Sequence, residues 1–116
     1  MVSGIEVFMK TKTKEALRAI VGNEGFSDAL IDLIAYSKDA SEHQHRPDAA
    51  LWPETKEQIS KVLKLANIEG FPVTPRGAGT SLAGLAVPEK GGVILDLARM
   101  DKIVDIRIED RLAVVQ

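Results

Sequence analysis

The stretch Pro75-Arg76-Gly77-Ala78-Gly79-Thr80-Ser81-Leu82-Ala83-Gly84 lies between two short apolar runs, residues 71–74 and 93–95. Its three glycines reach positive φ at little cost, and without a Cβ they let the backbone approach a ligand closely. Successive N–H groups of such a loop can converge on an anion, and the Thr80 and Ser81 hydroxyls add donors. The stretch therefore predicts a phosphate-binding loop between two strands.

Two better-known phosphate motifs do not fit this loop. A P-loop requires lysine and then a hydroxyl residue after its second glycine, but Leu85 and Ala86 follow Gly84. A Rossmann fingerprint requires a third glycine where this chain has Leu82, and it requires a helix where Pro88 begins a turn. Both motifs are excluded, which leaves a glycine-rich loop of another kind.

Two alternatives stay open at this stretch. The loop as a whole could be an irregular connection without a ligand. The guanidinium of Arg76 could contact a phosphate directly, or it could cap a carbonyl or pair with an acid at the surface.

A strand, a helix and a second strand precede the loop. Residues 49–52 predict a short strand, and residues 71–74 predict the next one. Thr55 followed by Gln58 forms a capping box for the helix between them, and Gly70 ends that helix. The apolar face of this helix contains Ile59, Val62, Leu63 and Ala66. This β-α-β unit predicts parallel strands joined by a right-handed crossover, with the loop at their carboxyl ends.

The first part of the chain predicts a small helical pair. Residues 1–12 are weakly patterned and predict a frayed leader. Thr13 is expected to cap the first helix, which Gly22 ends, and Ser27 is expected to cap the second. The expected buried stripe of the second helix contains Leu30, Leu33 and Ile34. Residues 1–44 are therefore assigned to an N-terminal leader and helical pair.

The polar segment 36–48 predicts a loop of about 12 residues, at the upper end of common loop lengths. It contains His43 and His45, with carboxylates nearby at Asp39, Glu42 and Asp48. Two histidines at this spacing supply only two metal ligands, so solvated loop histidines are favoured over a metal site. No metal ligand and no catalytic residue is assigned.

The end of the chain predicts three further strands. Residues 93–95 form a buried-looking apolar run that follows a turn at residues 88–92. Residues 103–108 predict an extended segment, and residues 109–111 predict a hairpin turn into a last strand at residues 112–116.

Composition limits the class of protein. The chain has 116 residues, 45% of them hydrophobic, a net charge of -2 and no cysteine. A chain of this length forms one domain, and the net charge argues against a nucleic-acid partner. The lack of cysteine excludes disulfides, a thiolate nucleophile and an iron-sulfur centre. No signal peptide and no transmembrane run is visible, so a cytoplasmic location is expected.

Residues 45–116 resemble the start of the FAD-binding domain of the FAD-linked oxidases, the vanillyl-alcohol-oxidase or PCMH type. The similarity is nearest to the D-lactate dehydrogenase and glycolate oxidase branch of that family. Its specific part is the Arg-Gly-x-Gly-Thr-Ser run, residues 76–81. Supporting matches lie at Tyr36-Ser37 with Asp39-Ala40-Ser41, at Trp52-Pro53, and at Glu57-Gln58-Ile59.

The resemblance implies an α+β fold in which residues 45–116 form the first subdomain of a PCMH-type FAD-binding domain. FAD would lie between this subdomain and a second one. The implied phosphate-contacting positions, acting chiefly through backbone N–H groups, are Arg76, Gly77, Ala78, Gly79, Thr80 and Ser81, with Pro75 and Gly84 shaping the loop. Some relatives attach flavin through a histidine in this region, and Thr80 stands there instead, so noncovalent FAD is expected.

The resemblance also implies a function. The chain would be the FAD-binding part of a flavin-dependent oxidoreductase acting on a 2-hydroxy acid of the D-lactate or glycolate type. Such enzymes continue for several hundred residues beyond the position of Gln116, so this chain alone is expected to be catalytically silent and to bind FAD weakly. The expected partners are the remainder of the enzyme or a homodimer mate.

Two other functions stay open. The chain could be a small non-catalytic subunit or association module that binds a nucleotide or flavin only with a partner. It could also bind a nucleotide or anion without a redox role.

Overall fold

A computed structural model describes residues 8–116 of the chain. Most of the predicted frayed leader lies outside these residues. The described helices and strands are α1 (Thr11–Val21), β1 (Phe26–Ser27), α2 (Leu30–Ala35), β2 (Ala49–Leu51), α3 (Lys56–Glu69), β3 (Val73–Arg76), β4 (Val93–Asp96), β5 (Ile103–Arg107) and β6 (Leu112–Val115). Because α1 begins at Thr11, the end of the predicted leader is helical.

Four strands form one mixed sheet in the order β1-β2-β4-β3. β1 is antiparallel to β2, whereas β2 and β3 both run parallel to β4. The predicted parallel orientation of β2 and β3 is therefore confirmed, but the two strands are not neighbours. The chain returns after β3 to insert β4 between them, so the central strand is the last of the sheet in sequence.

Helices α1 and α3 pack against each other and against one face of this sheet. The core between them contains Leu17, Val21, Phe26, Ala49, Leu51, Val62, Val93 and Leu95. Full burial of a side chain such as Leu51 stabilises the fold by about 1.5 to 3 kcal/mol. This layer fixes the strands whose carboxyl ends carry the candidate site.

The opposite face of the sheet is also covered. Side chains alternate along a strand, so Ala50, Ile94 and Asp96 point away from α1 and α3. All three are buried. The polar segment 36–48 reaches this face, because the Tyr36 hydroxyl donates a hydrogen bond to Asp96.

The α3 signals are local and are largely confirmed. The Thr55 hydroxyl accepts a hydrogen bond from the Gln58 amide at 3.2 Å, and the Gln58 side chain accepts one from the Glu54 amide at 2.7 Å. Gly70 ends the helix in the left-handed region, with φ 77°. Of the predicted apolar face, Val62 and Ala66 are buried, whereas Leu63 is exposed.

The predicted N-terminal caps are wrong. α1 begins two residues before Thr13, and Thr13 is buried inside it, although Gly22 does end the helix. Ser27 lies in β1, and its hydroxyl accepts from the Ala29 amide at 3.2 Å and donates to Asp32. This is a local turn before α2, because α2 itself begins at Leu30.

The predicted apolar stripe of α2 is also mostly wrong. No α2 residue is buried, and both Leu30 and Ile34 are exposed. α1 packs on α3 and the sheet instead. The two N-terminal helices are therefore placed differently: α1 belongs to the core, and α2 lies on the surface.

β5 and β6 form a separate antiparallel hairpin, as predicted. Arg111 in its turn has φ 53°, the one positive φ among described residues other than glycine. Nearly all of the hairpin side chains are exposed. The molecule measures 58 × 33 × 26 Å with a radius of gyration of 15.7 Å, compared with about 13 Å for a compact chain of this length.

Within residues 8–116, no helix combines the length and the apolar content that a membrane span requires.

Candidate functional site

The glycine-rich stretch starts later than the sequence indicated. β3 extends through Arg76, so Pro75 and Arg76 are the last strand residues and pair with Leu95 and Asp96 of β4. The loop proper covers residues 77–92 and leaves the carboxyl end of β3, beside the carboxyl end of β4. Ligands of open α/β sheets bind at this edge.

The first part of the loop carries a run of unused backbone donors. Within residues 8–116, the amides of residues 78–82 donate no hydrogen bond. Gly79 has φ 71° and Gly84 has φ 78°, values that favour glycine. The Ser81 hydroxyl accepts from the Ala83 amide at 3.2 Å and from the Leu85 amide at 3.3 Å, so it shapes the loop. The structure thus brings residues 78–82 together as a donor-rich turn.

The Arg76 side chain lies against the loop and the polar segment. Its Nη1 donates to the Lys38 carbonyl at 2.8 Å, and its Cζ lies 5.2 Å from the centroid of the Tyr36 ring. A Cβ at Gly79 would lie 2.2 Å from Arg76 Nη2. The guanidinium therefore caps a carbonyl, which is one of the two roles left open by the sequence, and it lies in the space that a side chain at position 79 would occupy.

Two aromatic residues and an acid meet at the carboxyl ends of β2 and β4. Trp52 Nε1 donates to the Tyr36 hydroxyl at 2.8 Å, and that hydroxyl donates to Asp96. The second Asp96 oxygen accepts from the Ala98 amide at 2.9 Å. Burial, followed by the hydrogen bond to Asp96, raises the pKa of Tyr36 to about 12. Both Asp96 oxygens have partners within the chain.

Asp39 connects the polar segment to the far end of the loop. One carboxylate oxygen accepts from the amide and hydroxyl of Ser41, and the other accepts from the Ala86 amide at 3.4 Å. The hydrogen bond from the Ser41 hydroxyl, above all, lowers the pKa of Asp39. The sequence indicated Asp39 as a carboxylate near two histidines and as part of the family resemblance, without a role in the loop.

The two histidines do not act together. His43 Nδ1 lies 2.9 Å from Glu89 Oε1, and the His43 ring is so close to Gly84 that a Cβ there would lie 2.6 Å from it. His45 Nδ1 lies 2.9 Å from the Arg46 carbonyl. Among the residues that the structure describes, no group of three or more potential metal ligands occurs.

Comparison with known proteins assigns the family. A family model described as an FAD binding domain matches residues 47–116, which is more than half of the chain. The chain belongs to the FAD-binding domain family of the FAD-linked oxidases. The resemblance stated from the sequence is confirmed, and FAD is the cofactor of this domain.

Curated relatives match over most of this chain. Glycolate oxidase subunit GlcD of Bacillus subtilis is 36% identical over 104 residues, which is 89% of this chain and 22% of that protein. D-lactate dehydrogenase [cytochrome] 1 of Saccharomyces cerevisiae, a mitochondrial protein, is 37% identical over 103 residues, 80% of this chain and 18% of that protein. The chain thus spans about a fifth of the length of these relatives.

Solved structures confirm the α+β fold. Alkyldihydroxyacetonephosphate synthase aligns with all of the chain at a TM-score of 0.81, with 20% identity and 24% of its own length covered. p-Cresol methylhydroxylase aligns with 84% of the chain at a TM-score of 0.74, with 32% identity and 20% of its length covered. The first of these supports the fold alone, because its identity to the chain is low.

Proposed function

We propose that the glycine-rich loop binds the pyrophosphate of FAD without a covalent bond, chiefly through its backbone N–H groups. The run of free amides at residues 78–82 carries this proposal, because consecutive backbone donors suit an anion. The loop also lies at the ligand-binding edge of the sheet. The positions assigned to phosphate contact are Arg76, Gly77, Ala78, Gly79, Thr80 and Ser81, and Pro75 and Gly84 are assigned to shaping the loop.

The family and the matched relatives support a wider role for the protein. It is the FAD-binding part of a flavin-dependent oxidoreductase that acts on a 2-hydroxy acid, such as D-lactate or glycolate. The flavin, when bound, supplies the hydride-accepting chemistry, while the residues of this chain bind and orient it. We assign no catalytic residue within the described chain, so residues 1–116 alone should show no turnover.

A ligand series tests the proposed phosphate site. Calorimetric titration of the chain with FAD, ADP and AMP should give similar weak affinities for FAD and ADP, and weaker binding of AMP, which lacks the second phosphate. The affinity is weak because a loop that holds only the pyrophosphate leaves most of the dinucleotide surface exposed. Failure of both FAD and ADP to bind at millimolar concentration would contradict the site.

A pair of glycine variants makes this test specific. Gly79→Ala strains the loop at φ 71° and displaces the Arg76 guanidinium, so it should weaken binding of ADP. Gly70→Ala is the matched control, because Gly70 has a similar φ of 77°, has open space around it, and lies at the end of α3. Equal binding of ADP by both variants would remove the loop from the site.

The redox part has its own test. With FAD present, residues 1–116 should leave the flavin absorbance unchanged when D-lactate or glycolate is added. Bleaching of the flavin by either acid would show that these residues carry catalytic groups.

The exposed hairpin favours a second candidate function, association with another protein. Among the large aliphatic side chains of β5 and β6, six are exposed: Ile103, Val104, Ile106, Leu112, Val114 and Val115. Exposed apolar patches of this kind mark interaction surfaces. The partner would be the remainder of an oxidoreductase or a second copy of the chain. A strict monomer by sedimentation equilibrium at high concentration would contradict self-association.

The cytoplasmic location expected from the sequence stays a proposal. The matched relatives include a bacterial glycolate oxidase subunit and mitochondrial D-lactate dehydrogenases. Fractionation of source cells, with the protein detected by antibody, would test it.

A further inference from the structure

Residues 36–41 are the first part of the polar segment 36–48, and we call them the clasp segment. The clasp segment contacts the glycine-rich stretch at two separate places. Near the start of the loop, the Arg76 guanidinium donates to the Lys38 carbonyl at 2.8 Å and covers the Tyr36 ring. Near its end, the Ala86 amide donates to Asp39 at 3.4 Å. The two contacts lie on either side of the run of free amides at residues 78–82.

We propose that Tyr36 and Asp39 are positioning residues that fix the conformation of the glycine-rich loop before any ligand arrives. This inference rests on the proposed function, since the ordered loop is the proposed pyrophosphate site. It assigns a role to a segment that the sequence indicated as a polar loop and as a supporting match to the family, with no function of its own.

The loop needs such support because it holds itself together poorly. Its own hydrogen bonds from residue 77 to 87 are the two to the Ser81 hydroxyl and one from the Val87 amide to the Gly84 carbonyl at 3.1 Å. Glycine loses more backbone freedom on ordering than any other residue. A ligand that had to order this loop would bind less tightly, whereas a loop ordered in advance avoids that loss.

The clasp segment is itself anchored on the rigid sheet. The Tyr36 hydroxyl joins Asp96 at the end of β4 and Trp52 directly after β2, at 2.8 Å for the Trp52 bond. The Tyr36 ring is thereby held as a platform for Arg76. The His45 amide also donates to the Ser37 carbonyl at 2.9 Å, which ties the next turn of the segment to it.

The charge of Asp39 argues for positioning as well. A carboxylate beside a loop that binds an anion weakens binding by repulsion. Both Asp39 oxygens instead accept hydrogen bonds from backbone or hydroxyl donors, one set within the clasp segment and one from the loop. Asp39 therefore supports ligand binding by holding the loop. Removal of its charge should weaken ligand binding if Asp39 positions the loop, and should strengthen it if Asp39 only repels the anion.

The decisive variant is Asp39→Asn in the full chain. The Asn carbonyl oxygen can still accept from Ser41, so the turn of the clasp segment is retained, but the amide NH₂ group faces the Ala86 N–H and breaks that contact. If Asp39 positions the loop, the variant binds ADP about tenfold more weakly, because the loop must be ordered on binding. If Asp39 only repels the anion, the variant binds ADP more tightly.

Hydrogen exchange without ligand provides an independent readout. In Asp39→Asn the hydrogen-bonded loop amides, those of residues 83, 85, 86 and 87, should exchange about tenfold faster, while those of β4 keep their protection. Tyr36→Phe keeps the ring under Arg76 but removes the hydroxyl bonds, and it should accelerate the same amides by a smaller factor. Arg18→Ala is the matched control, because Arg18 also lies over an aromatic ring, 4.6 Å from the Phe26 centroid, but on α1 and away from the loop.

The two readouts separate the two proposals. Unchanged amide exchange of the loop in both Asp39→Asn and Tyr36→Phe overturns the proposed positioning role of the clasp segment, whether or not the chain binds ADP or FAD. Tighter ADP binding by Asp39→Asn overturns it too. Faster loop exchange in a chain that binds neither ADP nor FAD supports the clasp and contradicts the proposed pyrophosphate site.

Discussion

β4 and β5 are both aliphatic strands, but β4 is buried and β5 is exposed. All four residues of Val93–Asp96 are buried, and Ile94 is completely so, whereas Ile103 and Ile106 in β5 are 65% and 61% exposed. β4 lies between two parallel strands, with α1 and α3 over one face. β5 pairs only with β6 among the described residues. Aliphatic sequence thus determines that a segment is extended, and distant elements determine whether it is buried.

The two strands also differ in how much they contribute to the stability of the fold. A two-stranded hairpin is at best marginally stable alone in water, because its side chains gain little from burial. β4, by contrast, contributes Val93 and Leu95 to the buried core beneath α1 and α3. Four changes test this contrast, and their expected effects decrease from the first to the last.

Truncation of one isoleucine in each strand should separate the two regions most clearly. Ile94→Ala removes a completely buried side chain and should lower the free energy of unfolding by about 3 to 5 kcal/mol. Ile106→Ala should change it by less than about 0.5 kcal/mol, since that side chain is mostly exposed. Urea unfolding followed by circular dichroism measures both. Similar losses in the two variants would show that the hairpin is buried in solution.

Addition of a methyl group tests whether the tight packing includes the backbone that leads into β4. A Cβ at Gly92 would lie 2.1 Å from the Pro72 carbonyl oxygen, and Gly92 has φ 75°. Gly92→Ala should therefore cost about 2 to 3 kcal/mol more than Gly70→Ala, which meets nothing within 4 Å at φ 77°. Thermal unfolding of the two variants compares them. Equal melting temperatures would mean that the Pro72 backbone moves freely.

Titration of Tyr36 tests the end of the sheet region without a substitution. The folded pKa of about 12 lies above the usual value of about 10, because burial and Asp96 disfavour the phenolate. The resulting stability is complete below pH about 10 and is lost as the pH rises through about 12. Tyrosinate absorbance reports Tyr36 alone, because it is the single tyrosine of the chain. A midpoint equal to that of the chain in denaturant would contradict the Tyr36–Asp96 contact.

A change in the hairpin turn should have the smallest effect. Arg111 has φ 53°, a conformation that costs most residues energy and glycine little. Arg111→Gly should stabilise the hairpin by about 0.5 kcal/mol and therefore slow the amide exchange of β6. The gain is small because the relief of backbone strain is partly offset by the greater backbone freedom of glycine in the unfolded chain. The β4 amides serve as the internal reference. Faster exchange in β6 would mean that Arg111 holds the turn by another contact.

Much of this fold was predictable because its signals are local. The capping box at Thr55 and Gln58 and the stop at Gly70 lie within one helix, and the glycines of the loop lie within one stretch. The predicted helix caps at Thr13 and Ser27 were wrong because hydroxyl residues occur in several local environments. Thr13 is buried within α1, and Ser27 serves a strand and the turn after it.

What could not be predicted depends on partners far apart in sequence. Tyr36 and Asp96 are 60 residues apart, and Asp39 and Ala86 are 47 apart. No periodicity or spacing joins such pairs, so the sequence predicted segment 36–48 only as a polar loop with solvated histidines. The insertion of β4 between β2 and β3 belongs to the same class, since pairing order depends on the whole sheet. The assignment of individual loop residues to FAD stays a prediction.

The elongated outline of the molecule, 58 Å in its longest dimension and 26 Å in its shortest, has a hydrodynamic consequence. A particle of these proportions meets more friction than a sphere of equal mass, so it elutes from a gel-filtration column ahead of globular standards. A monomer would imitate a heavier species there. Elution volume therefore reports the hydrodynamic size of the molecule, and a mass obtained from light scattering is needed to determine how many chains associate.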